Sequence, residues 1–162
     1  MTDLVPIAKQ VGTLLVKRGE TLGVSESSSG GLISAALLAV PGASRFYRGG
    51  GVIYTPQAFK GLMGLTKQDI TGMRSSTEPY ARFMAGQIRI KLRATWGLCE
   101  TGASGPDGNG YGDAAGHTCI GFVGVSEGDS KTLETGLSDR QDNMFLFAKE
   151  ALEFTLSRLS AS

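Results

Sequence analysis

The stretch TLGVSESSSGGLISAALLAV, Thr21 to Val40, decides the fold. Thr21 to Ser25 reads as a short strand, Ser27-Ser28-Ser29-Gly30-Gly31 breaks it, and an apolar helix follows until Pro41-Gly42. Strand, small-residue loop and helix in succession is the unit from which α/β domains are built. On the N-terminal side, Leu4, Ile7, Val11, Leu14 and Leu15 recur at helical spacing, with basic residues toward the end and Gly19 placed as a C-cap. On the C-terminal side, Phe46 to Tyr54 reads as a strand whose glycines, Gly49-Gly50-Gly51, suggest a bulge or a close backbone approach.

Further out, Thr55-Pro56 starts a short helix to about Leu62, and a helical turn follows Thr66. Ser75-Ser76-Thr77-Glu78-Pro79 opens a longer helix to Arg93, with Ala81, Met84, Ala85, Ile88 and Leu92 on one face. Phe83 and Ile90 form a second apolar edge, from which contact with another helix or another subunit is expected. Trp96 to Glu100 reads as a strand running into the glycine-rich loop TGASGPDGNGYGD, expected to be mobile without a ligand. A β-hairpin over His117 to Val125 and Lys131 to Leu137, and a final helix over 139–159, complete the pattern. The alternation argues an α/β domain of three layers, α/β/α, with residues 1–162 forming one domain.

Composition narrows the function. The 16 Lys+Arg against 15 Asp+Glu leave no field to favour nucleic acid or an acidic membrane. With 41% hydrophobic residues, a buried core is expected. Glycine, at 24 of 162 residues, is about twice the ordinary usage of about 7%. Cys99 and Cys119 lie in apolar segments without CxxC spacing or a nearby histidine pair, so reduced core thiols are expected, with no metal and no redox cofactor. The N-terminus MTDLVPIAKQ has neither the basic nor the apolar region of a signal peptide, and no apolar run could span a bilayer, so a cytoplasmic protein is expected.

Two loops share a physical design, Glu26 to Gly31 and Thr101 to Gly108. Each follows a strand and consists of small residues whose N–H groups can gather around an anion or an oxyanion. Neither matches a Walker P-loop or the dinucleotide fingerprint. Open α/β sheets bind ligands beyond the carboxyl ends of their strands, where both loops converge if their strands are parallel neighbours. A serine in the first loop needs a base to become a nucleophile, and His117, Tyr54 and Lys60 are the candidates. Glu26 would orient a neighbour or bond backbone N–H groups.

These residues together resemble the C-terminal domain family of the competence/damage-inducible protein CinA, which includes nicotinamide mononucleotide deamidases. The carriers are Glu26-Ser27-Ser28-Ser29-Gly30-Gly31, Pro41-Gly42-Ala43-Ser44, Gly50-Gly51-Val52-Ile53-Tyr54-Thr55, Thr101-Gly102-Ala103-Ser104-Gly105-Pro106 and the Gly136 to Arg140 approach to the last helix. The resemblance implies hydrolysis of the carboxamide of nicotinamide mononucleotide, or of a related small amide, without a cofactor. It implies Ser27 as nucleophile, Tyr54 beside it, and a substrate held by Glu26, Ser28, Ser29, Gly30, Gly31, Thr101, Gly102, Ala103, Ser104 and Gly105. A small-molecule substrate and a homo-oligomer are the expected partners.

Three positions depart from the family. Phe59 stands where the family's lysine is usual, with Lys60 one residue later, about 100° around a helix. Asp113 replaces the lysine of the family's K-P-V-G-T, and Met144 stands where an arginine is usual. Three cations are thereby absent and one acid added, which weakens both base and phosphate recognition. The alternative reading is a catalytically silent paralogue that binds a nucleotide or another small molecule.

Overall fold

The structure is a computed structural model and describes residues 1–161. In chain order the elements are α1 (Leu4–Arg18), β1 (Leu22–Glu26), α2 (Leu32–Leu38), β2 (Tyr47–Val52), α3 (Pro56–Met63), α4 (Glu78–Lys91), β3 (Trp96–Ala103), β4 (His117–Val123), β5 (Gly128–Glu134) and α5 (Arg140–Ala161). Short 3-10 turns at Ala43–Arg45 and Lys67–Ile70 join them. The strands form one sheet in the order β2-β1-β3-β4-β5, with β2, β1 and β3 parallel and β4 and β5 antiparallel to their neighbours. Helices cover both faces, which makes the fold α/β/α in three layers.

Alternation along each strand divides the core. Leu22, Val24, Leu98, Ile120 and Phe122 face α1, α2 and α5, where Phe147, Ala148, Ala151 and Leu152 are fully buried. The opposite face carries α4, whose Ala81, Met84, Ala85 and Ile88 are buried with Cys99 and Cys119. Gly23, Gly97 and Gly121 lie beneath this helix. A Cβ on Gly97 would overlap the Ala85 carbonyl oxygen, and one on Gly121 would overlap the Ala81 backbone. Gly97 and Gly121 therefore let α4 rest main chain against main chain, while a Cβ on Gly23 would press on the Leu92 side chain. Phe83 packs beside this core, and Ile90 is exposed.

Local signals set the boundaries. Thr55 Oγ1 accepts from the Ala58 N–H at 3.2 Å and Pro56 follows it, so β2 stops at Val52 and Tyr54 falls in the connection rather than in the strand. Thr77 caps α4, and Gly19, at φ 66°, closes α1. β3 extends beyond Glu100 to Ala103, because β4 pairs with it up to Ala103↔His117. Thr101, Gly102 and Ala103 thus belong to a strand, and the connecting loop is confined to 104–116. No helix among the described residues is long and apolar enough to cross a membrane.

Candidate functional site

The parallel strands β1, β2 and β3 end at one edge of the sheet, and the connections that leave them meet there. After β1, two carboxylates organise the backbone. Glu26, 1% exposed, accepts from Ser29 Oγ at 2.8 Å and from the N–H groups of Gly31, Ile33 and Ser34 at 3.0, 3.0 and 2.8 Å. Glu100, fully buried on β3, accepts from the N–H groups of Ser27 and Ser29 at 3.1 and 2.8 Å, and from Ser28 Oγ and Thr118 Oγ1 at 2.7 and 2.8 Å. In the first loop the Ser27, Ser29 and Gly31 N–H groups are therefore bonded to the protein's own carboxylates, and that of Gly30 to the Ser27 carbonyl at 3.1 Å. Buried acceptors of this kind are stable only when donors surround them, and each carboxylate has four, from the loop and from the first turn of α2 for Glu26, and from the loop and β4 for Glu100.

This arrangement separates the three serines. Ser28 and Ser29 are buried with hydroxyls tied to carboxylates, whereas Ser27 gives Glu100 its backbone N–H and turns its side chain to a cleft. That cleft, of about 610 Å³, is walled by α3, the 67–76 segment, β3 and the 104–116 loop. Its lining is largely apolar and aromatic, with Ile53, Phe59, Tyr80 and Tyr111 among the contributors. The polar groups include Ser27, Thr101 and Asn109, and the cations are Lys67 and Arg74. Tyr54 also lines it, with its hydroxyl accepting from Arg140 Nη2 at 3.0 Å.

Of the residues expected at the site, Ser27, Tyr54, Thr101 and Gly102 share this cleft. The others lie elsewhere. Lys60 is exposed on α3 outside the cleft, while Phe59 beside it faces in, as one residue of helical rotation dictates. His117 is turned away and committed at both ring nitrogens: Nδ1 donates to Glu134, and Nε2 to the Ser76 carbonyl at 2.9 Å. Neither Lys60 nor His117 is brought to Ser27 as a base. Ala103, Ser104 and Gly105 face inward, where the Ser104 and Gly105 carbonyls accept from Asn143 Nδ2 at 2.9 Å and Arg140 Nη1 at 2.6 Å. Gly30 lies under Met144, and Gly31 serves as the N-cap of α2.

The electrostatics of the 104–116 loop also differ from expectation. Asp113 does not leave an unbalanced acid near the cleft, because Arg74 grips it with two parallel bonds of 2.6 and 3.1 Å. Asn109 Nδ2 adds a third at 2.7 Å. The Arg74 bonds, then Asn109 and the neighbouring charges of His117 and Arg74, outweigh burial and hold the Asp113 carboxyl down to about 2. Burial by itself would lower the His117 pKa. The bonds to Glu134 and Ser76, with the charges of Glu134 and Asp113, outweigh it and raise the imidazole from its usual 6.5. Burial pushes the Cys119 thiol up as well.

Glu100, Lys67, Arg74 and Tyr111 are the participants that local reading missed. Only Glu100 carries a usable signal, a carboxylate at the end of the apolar run Trp96 to Cys99, which demands buried donors once the strand is central. Among the described residues, no group of three or more His, Cys, Asp or Glu side chains is gathered to hold a metal.

Comparison with known proteins agrees with this architecture. The family model described as the CinA C-terminal domain matches residues 4–159. A CinA-like protein of Gloeobacter violaceus is 37% identical over 136 residues, covering 84% of this chain and 32% of that protein. A CinA-like protein of Nostoc is 34% identical over 163 residues, covering 94% and 38%. The chain thus spans about a third of the length of these curated relatives. Among solved structures, a competence or damage-inducible protein from Enterobacter asburiae superposes with a TM-score of 0.88 at 26% identity, covering 96% of this chain and 98% of that one. A CinA superfamily protein from Klebsiella pneumoniae, at 20% identity, shares the fold with a TM-score of 0.90 over 98% and 99% of the two chains. With the family match running through all five strands and both loops, the chain belongs to the CinA C-terminal domain family.

Proposed function

We propose that the chain is an amidohydrolase acting on a small nucleotide-like carboxamide, with nicotinamide mononucleotide the favoured substrate and nicotinic acid mononucleotide and ammonia the products. The observation that carries this reading is the Ser27 side chain, the one serine of its loop not spent on a carboxylate, facing a cleft of about 610 Å³. That volume lies within the usual range of small-molecule sites. In the proposed reaction Ser27 Oγ adds to the carboxamide carbon, the C–N bond breaks, and the serine proton leaves on ammonia. Water then cleaves the acyl-serine ester and restores the hydroxyl. Tyr54 accepts from Arg140, so its own O–H is available to donate to the substrate oxygen or to the departing nitrogen. On this reading the substrate is a small molecule and the activity cytoplasmic.

A second reading is favoured by Phe59. It occupies the cleft wall with an apolar ring, while Lys60 and His117 lie outside, so the protein supplies Ser27 with no side-chain base at these positions. A silent member that binds the nucleotide without cleaving it accounts for this. Ammonia release from nicotinamide mononucleotide and a panel of small amides separates the two. Turnover that Ser27→Ala abolishes supports the hydrolase. No turnover, with a ligand-dependent rise in melting temperature that survives Ser27→Ala, supports the silent binder. Turnover that Ser27→Ala leaves intact removes Ser27 as nucleophile.

A further inference from the structure

The residues lining the cleft include two cations, Lys67 and Arg74, and no carboxylate. The acids nearest in sequence are already engaged. Asp69, two residues beyond Lys67, turns back to accept from the Thr66 N–H and Oγ1 at 2.6 and 2.9 Å. Lys67 itself has no ion-pair partner among the described residues. Asp113 stands behind Arg74 and fixes its plane. Of the five N–H donors of a guanidinium, Arg74 spends one on the Ser75 carbonyl and two on Asp113. The Nε donor and one Nη2 donor remain. Tyr111 covers the guanidinium at 5.0 Å, which limits its rotation and places an aromatic ring on the same wall. Phe59 and Tyr80, stacked with ring centres 6.5 Å apart, supply a further aromatic surface.

A cleft with aromatic surfaces and two cations is complementary to a molecule that joins a flat ring to a compact anion. An aimed guanidinium with donors to spare and a mobile ammonium are the usual partners of phosphate oxygens. We propose that Lys67 and Arg74 form an anion subsite through which the cleft selects a ligand carrying a phosphate monoester over the same ligand without it. This rests on the reading of the cleft as a nucleotide site and adds the residues that recognise the phosphate. A phosphate monoester carries about −1.5 to −2 charges at neutral pH. Lys67 and Arg74, with Asp113 offsetting part of the second, leave a positive balance to receive it.

The test is calorimetric titration of nicotinamide mononucleotide and nicotinamide riboside in a Ser27→Ala background, which keeps the carboxamide intact. The mononucleotide is expected to bind at least about tenfold more tightly than the riboside. Lys67→Met and Arg74→Met each reduce that ratio, and together they bring it close to unity while the riboside affinity holds. Lys60→Met, an exposed charge outside the cleft, leaves the ratio unchanged. If Arg74→Met fails to fold, the exposed Lys67→Met carries the test alone. A ratio that survives these substitutions overturns the subsite. Equal binding of the two ligands by the Ser27→Ala protein also overturns it and leaves the nucleotide reading standing, whereas no binding of either overturns both.

Discussion

The loop after β1 and the loop after β3 leave neighbouring parallel strands at the same edge of the sheet, and they satisfy their backbones in contrasting ways. The first is built inward around two buried carboxylates, Glu26 and Glu100, with eight donor bonds converging on them. The second is tied inward only at its start, where the Ser104 and Gly105 carbonyls accept from Asn143 and Arg140, and beyond that by a part-buried ion pair between Asp113 and Arg74 and by Asn109. A buried carboxylate exchanges hydration for fixed donors and holds its loop as firmly as the core that surrounds it. An ion pair nearer the solvent is more readily screened and exchanged. The first loop therefore presents Ser27 on a rigid base, and the second is free to answer a ligand.

Three changes test this contrast. Glu100→Ala has the largest expected effect, since it strands the Ser27 and Ser29 N–H groups and the Ser28 and Thr118 hydroxyls in the interior. A loss of at least about 3 kcal/mol in urea unfolding is expected, and a loss below about 1 would show that the loop does not depend on the carboxylate. Asp113→Ala should leave the global midpoint nearly unchanged while protease cleavage within 104–116 accelerates several-fold. A large fall in the midpoint would erase the contrast between the loops.

The smallest expected effect is that of pH. The raised pKa of His117 stabilises its clasp on Ser76 and Glu134 fully below the unfolded value of about 6.5, and that contribution is lost as pH rises through the higher folded value. The lowered pKa of Asp113 acts at the other end. Its contribution is present above the ordinary carboxyl range and is lost only as pH falls through about 2. Amide exchange in 104–116 should therefore quicken with alkaline pH beyond the intrinsic rate, and His117→Gln should remove that increment. An unchanged increment in the variant would remove His117 from the account.

The elements were legible because their signals are local. Thr55, Thr77 and Gly19 mark helix ends through contacts within a few residues, and the spacing of Ala81, Met84, Ala85 and Ile88 marks the buried face of α4. The end of β3 was not, since Thr101 to Ala103 become strand only by pairing with β4. Of the residues that motifs singled out, Ser27, Tyr54, Thr101 and Gly102 line one cleft, since each lies at or just beyond the carboxyl end of a parallel strand. Glu26 was identified, but the donors that occupy it follow from a turn geometry that spacing does not specify. Glu100 reaches Ser27 across 73 positions and Arg74 reaches Asp113 across 39, and such pairings exist only once the sheet order is known.

The glycine track beneath α4 bears on how this protein can change over generations. Because Gly97 and Gly121 seat the helix by main-chain contact, the height of α4 above the sheet does not depend on the size of the side chains it presents to solvent. Lineages can exchange Gln87 or Ile90 freely while the segment leading into the helix, with Arg74, Ser75 and Ser76, keeps its distance from Ser27. A methyl group at Gly97 would lift that whole wall at once. Ligand preference can therefore drift one wall residue at a time, and the width of the cleft is inherited with Gly97 and Gly121.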